Sequence, residues 1–170
     1  MIGTAFLEEN KSKDDIKEEL DTLEIQLFRM QNNIKEIAKK WEIISIDQTN
    51  DNNWVVIYAD KGTEACQIML HDCDAAFRGD WNAAIQAEYK NENTIHIADI
   101  KGQQNKGYGS ILMNYLKELA HNENVQYITG DIVERDFDHV NRLMHFYRKH
   151  NFDVKIDHTE QYGEIICNER

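Results

Sequence analysis

Proline is absent from this 170-residue chain, cysteine occurs only three times and glycine only eight. The missing proline goes with a composition rich in Asn, Lys and Ile and by itself points to no function. Cys66, Cys73 and Cys167 are widely spaced, odd in number and form no C-x-x-C pair. That excludes a disulfide framework and suits buried thiols in a reducing, cytoplasmic setting. No apolar run approaches the roughly 18 residues a spanning helix needs. The first ten residues also lack the basic region and long apolar stretch of a signal peptide. Positive charge is scarce too, with 19 Lys and Arg against 31 Asp and Glu and a net charge of −12. This balance argues against nucleic acid as the main partner, because neutralising phosphates needs a basic face. It suits cationic partners, and amines are cations at neutral pH.

What is present divides into a tail (1–11), a long amphipathic helix (12–40) and one domain (41–170) large enough to bury a core. Ile16, Leu20, Leu23, Leu27, Met30, Ile34, Ile37 and Trp41 alternate in spacings of four and three, which is a heptad seam. Ser12-Lys13-Asp14-Asp15 reads as a capping box, and Lys35, Lys39 and Lys40 sit where the helix dipole favours cations. Such a helix is about 40 Å long at 1.5 Å per residue. Two uses of its stripe stay open: a homodimer through 12–41, or packing on the chain's own sheet. Ile25 and Phe28 widen the stripe beyond a strict seam.

Strand candidates follow at Trp41–Asp47, Trp54–Ala59 and Glu64–Leu70, joined as a meander by Asn50-Asp51-Asn52 and Asp60-Lys61-Gly62. Trp81, Ile85 and Tyr89 recur every four residues, so a short helix is expected from about Trp81. His71-Asp72-Cys73-Asp74 has metal-ligand residue types. No matching pair lies elsewhere at a recognisable spacing, so a surface loop with a buried thiol is expected, and no metal.

The most informative stretch runs from Ile95 to Leu119. Ile95-His96-Ile97-Ala98-Asp99-Ile100 reads as a strand that stops at Lys101-Gly102. Ile111, Leu112, Tyr115, Leu116 and Leu119 form one helical stripe. Between them lies Gln104-Asn105-Lys106-Gly107-Tyr108-Gly109. A strand, a tight turn and a helix N-terminus make an anion site: the first helical N–H groups have no internal partner, and glycines let the backbone approach a phosphate. From Lys101 to Lys117 there are three lysines and no acid. A polyanion seated there and chance clustering on a solvated helix face are equally open readings. On the strand, His96 shares a face with Ala98 and Ile100, while Ile95, Ile97 and Asp99 share the other. His96 is read as a satisfied edge histidine, with the role of general base for an amine as the alternative. Val125–Ile132 is a further strand candidate, and Phe152–Asp157 with Gly163–Cys167 reads as a hairpin.

The spacing Gln104-x-x-Gly107-x-Gly109 resembles the acyl-CoA pyrophosphate loop of the GNAT N-acetyltransferase superfamily. Arg142 to Phe152, with Phe146-Tyr147-x-Lys149-x-Asn151-Phe152, resembles that family's helix ending in F-Y-x-K-x-G-F. The resemblance covers about residues 41 to 168. It implies an α/β (α+β) fold with a GNAT-like mixed central sheet flanked by helices, here preceded by the long heptad-patterned helix. It also implies acetyl-CoA as coenzyme and transfer of acetyl to an amine, either a small cation or a protein amine. The coenzyme-binding set it implies is Ala98, Asp99, Ile100, Gln104, Asn105, Lys106, Gly107, Tyr108, Gly109, Ser110 and Asn141. The first three stand where backbone donors meet the developing oxyanion, and Tyr147 stands where the family assists the leaving thiolate. Asn151 replaces the family's glycine at a position requiring φ > 0, which asparagine tolerates next best. Val140 stands where the family often has asparagine, one step before Asn141. The alternative reading is a non-catalytic coiled-coil interaction protein whose CoA-binding domain is a sensor or scaffold.

Overall fold

The computed structural model describes residues 11–169. Most of the expected tail, 1–10, therefore lies outside the described residues. The first helix, α1 (Lys13–Ile37), opens on the expected capping box, with the Ser12 side chain accepting from the Asp15 backbone and Asp15 answering at the Ser12 backbone. A meander follows: β1 (Glu42–Gln48), β2 (Trp54–Lys61), β3 (Ala65–Asp72), β4 (Ala83–Asn91) and β5 (Thr94–Gly102). Then come α2 (Tyr108–Asn122), β6 (Tyr127–Ile132), a 3₁₀ segment (Glu134–His139), α3 (Val140–Lys149), β7 (Asp153–Asp157) and β8 (Tyr162–Asn168). The strands form one sheet in the order β1-β2-β3-β4-β5-β6-β8-β7. Every pairing is antiparallel except β5 with β6, whose crossover is α2. The expected mixed sheet with flanking helices is thus observed, and Asn151 has φ of 62°.

The helix expected from Trp81 is instead β4. A spacing of four keeps Ile85 and Tyr89 on one side of a strand as well as of a helix. The alternation of buried Ile85 and Ala87 with exposed Gln86 and Glu88 fits only the strand.

One face of the sheet and the stripes of α2 and α3 share a core that includes Val55, Ile85, Ile95, Ile97, Leu112, Leu116 and Tyr147. On the second face a smaller core joins Ile37, Val56, Tyr58 and Met69, with Met30 and Ile34 packed against it. The seam of α1 is therefore covered from Met30 onward. Ile16, Leu20, Leu23, Ile25, Leu27 and Phe28 stay 44–62% exposed.

Candidate functional site

The parallel pairing of β5 with β6 runs from Thr94↔Tyr127 to Ile97↔Gly130 and stops there. β5 continues to Gly102, whereas β6 continues along β8 as far as Ile132↔Gly163. A wedge thus opens in the sheet after Ile97 and Gly130. At its apex Ala98 is the extra residue of a bulge, since Ile97 pairs with Ala87 but Asp99 pairs with Gln86. The bulge reverses the alternation of the strand. Ile100, paired with Ile85, joins the α2-side core, so the expected grouping of Ile100 with His96 and Ala98 is corrected.

Beyond the wedge the chain turns through Asn105 (φ 60°) and Gly107 (φ 76°), both left-handed, into α2. Gly107 is the N-cap and offers no side-chain hydrogen bond, and the first turn of α2 holds no acid. The leading N–H groups of α2 are thus free of a protein cap at the positive end of the helix dipole. They face a cavity of about 480 Å³ lined by Ile100, Gln104, Asn105, Gly107, Tyr108, Gly109 and Ser110 from the loop side. His139, Arg142, Leu143 and Phe146 close it from the 3₁₀ segment and α3. A Cβ built on Gly109 would sit 3.4 Å from the Phe146 ring, so a larger side chain there would push into the cavity wall. Gly102 is forced by packing, because its Cβ would lie 2.5 Å from that of Ala83. Uncapped donors, a glycine cradle and a cationic wall without acids fit a pyrophosphate.

Three parts of this cavity were not read from the sequence. The Arg142 guanidinium donates to the Gln104 side-chain oxygen, bringing to the loop the charge that Gln104 lacks. Phe146 lines the cavity, while Tyr147 is 7% exposed and belongs to the core. The spacing His139, Arg142, Leu143, Phe146 marks one helical face, legible only once the face is known to meet the loop. Third, the Tyr108 hydroxyl donates to buried Asp72, which also receives the Asp74 N–H. The sequence His71-Asp72-Cys73-Asp74 thus serves as the clamp that fixes the start of α2 to the end of β3. Among the described residues no cluster of His, Cys, Asp or Glu is suited to a metal.

The remaining polar and charged residues of this region take varied places. Asn141 is exposed and outside the cavity lining. Lys106 is exposed at the loop tip and also outside the lining. Asp99 pairs with Lys101 at 3.2 Å. Ser110 Oγ lies 3.0 Å from His150 Nε2, which ties α2 to the end of α3. Lys117 is committed at the far end of α2, 3.1 Å from Glu169. Tyr147 packs edge-on against Phe146 and Phe152. Burial, followed by the nearby Asp136 and Asp99 carboxylates, pushes its phenol up to about 12.

On the second face two shallow cavities flank the wedge. One, about 280 Å³, is lined by Ala98, Gln86, Glu88 and Asp60. The other, about 370 Å³, is lined by His96, Thr129, Asp131, Asp153 and Glu164, with Lys155 as its cation. His96 Nδ1 lies 2.9 Å from Thr129 Oγ1, and its Nε2 lies 3.4 Å from Asp131 Oδ2.

No protein-family model matches the chain. The uncharacterized protein YocC of Bacillus subtilis (strain 168) is 44% identical over 160 residues, covering 94% of this chain and 96% of YocC. Among solved structures, a putative acyl-CoA N-acyltransferase from Klebsiella pneumoniae aligns over 63% of this chain and 74% of its own, at TM-score 0.50 and 6% identity. A GNAT family acetyltransferase from Elizabethkingia anophelis, solved with acetyl-CoA bound, aligns over 62% of this chain and 77% of its own, at TM-score 0.48 and 12% identity. The chain belongs to one family with YocC, and its fold is like that of the putative acyl-CoA N-acyltransferase from Klebsiella pneumoniae.

Proposed function

We propose that the protein transfers acetyl from acetyl-CoA to an amine. The observation that carries this reading is the uncapped N-terminus of α2, set under a glycine turn and opening into the cavity beside the β5–β6 wedge. The coenzyme would supply an activated thioester. The leading N–H groups of α2 would hold its pyrophosphate, with Arg142 adding charge. The β5 backbone at Ala98, Asp99 and Ile100, freed from β6, would donate to the acyl oxygen.

Tyr147 would act as a hydrogen-bond donor to the departing sulfur. A phenol raised to about 12 stays protonated at neutral pH, so full proton transfer to a thiolate is uphill. A hydrogen bond that strengthens as charge builds on sulfur suffices. The acceptor would enter from the second face. There His96, between Thr129 and Asp131, is the group able to take a proton from an ammonium. The carboxylates of that face suit a cationic acceptor, whether small molecule or protein.

A screen of primary amines for release of the CoA thiol tests this reading. At least one amine is expected to turn over, and Tyr147→Phe should lower kcat by about 10²-fold while leaving coenzyme affinity unchanged. Wild-type turnover in that variant would return Tyr147 to a packing role. The non-catalytic reading draws support only from the bare half of α1. It expects coenzyme binding with no turnover on any amine.

A further inference from the structure

We propose that residues 13–28 of α1 pair antiparallel with the same segment of a second copy of this chain. The seam that the sheet covers from Met30 to Trp41 continues without a break through Leu27, Leu23, Leu20 and Ile16, where nothing among the described residues covers it. This projecting half is firmly mounted. At its base the Arg29 guanidinium donates to the Asp74 carbonyl. The Asn33 amide donates to the Ala75 carbonyl and accepts from the Phe77 N–H. Little conformational freedom then remains to be lost on association.

The continuous seam calls for an apolar helix of the same length, which a second copy supplies, and the flanking charges select its direction. In the heptad register set by Leu20 and Leu23, Lys17 and Glu24 follow seam residues on one flank, and Glu19 precedes one on the other. Parallel pairing would set Glu19 against the partner's Glu24 twice, which is repulsive. Antiparallel pairing about a two-fold axis between Leu20 and Leu23 sets Lys17 against the partner's Glu24 twice, which is attractive, and opposes the helix dipoles. Ile16 then meets the partner's Leu27, and Leu20 meets the partner's Leu23, in four layers. The length matches as well. In this register Lys13, the first helical residue, lies level with the partner's Met30, the first seam residue covered by the sheet. The overlap therefore uses the bare part of the helix and no more. A two-fold contact of this kind closes on itself and stops at a dimer.

Light scattering across a concentration series should find a dimer in equilibrium with monomer. Leu20→Glu with Leu23→Glu should give a monomer whose circular dichroism matches wild type, since both side chains are exposed in the single chain. Glu24→Lys decides direction. It should raise the dissociation constant roughly five- to tenfold by setting lysine against lysine twice, whereas a parallel coil would tighten. A wild-type protein that is monomeric into the millimolar range, one that assembles beyond a dimer, a double variant that unfolds, or a Glu24→Lys dimer that tightens would each overturn the proposal.

Discussion

On one face of the sheet, α2 and α3 bury Leu112, Met113 and Leu116 completely in a core shared with Ile85, Ile95 and Ile97. On the other, α1 closes only the β1–β3 end, the wedge lies open beside His96, and six large apolar side chains of α1 stand in solvent. The closed face holds what must not move. The glycine turn proposed to hold the coenzyme sits on it, fixed by Tyr108 to Asp72 and by Ser110 to His150. The open face carries the two surfaces proposed to meet other molecules, the groove at the wedge and the bare half of α1. Preorganised donors are useful only if the scaffold behind them is rigid. Surfaces that receive partners are left uncovered.

The largest expected effect breaks this comparison on the closed side. Leu112→Ala removes a fully buried side chain and should cost about 2–5 kcal/mol in denaturant unfolding. The chemically parallel change on the open side, Leu23→Ala, should move the unfolding of the dilute monomer by less than about 0.5 kcal/mol, because the side chain is 44% exposed. Equal costs would show that the two halves of the structure are not different in kind.

A smaller effect is expected at the clamp. Tyr108→Phe keeps the ring but takes a donor from the buried Asp72 carboxylate, which should lose about 1–3 kcal/mol of stability. The same variant should show weaker coenzyme binding, since the start of α2 loses its tie to β3. Unchanged stability would mean that the clamp contributes nothing to the rigidity of the closed face.

Much of the closed face was legible in the sequence, because it is built from local signals. The β5 run, the glycines at 107 and 109 and the stripe of α2 lie within 28 consecutive residues, from Ile95 to Asn122. The capping box of α1 and the left-handed Asn151 are also local. What was misread is non-local or degenerate. Spacings of four in Trp81, Ile85 and Tyr89 suit both periods, and only the pairing of β4 between β3 and β5 made the strand. The bulge at Ala98 is set by partners on β4 and reversed the assignment of Ile100. Tyr108 and Asp72 are 36 residues apart, and no spacing rule joins them. The assignment of faces on α3 depended on the loop it meets, so Phe146 and Arg142 went unrecognised while Asn141 was favoured.

The central claim is that the N-terminus of α2 is a coenzyme site, and titration calorimetry with acetyl-CoA tests it most directly. Wild type should bind one equivalent per chain, and at 100 times the dissociation constant the fold should gain about 2.7 kcal/mol in stability. Gly109→Val, whose side chain would press on Phe146, should fold with an unchanged circular dichroism spectrum and show no binding heat. A wild-type protein that gives no heat and no thermal shift with millimolar acetyl-CoA would contradict the account.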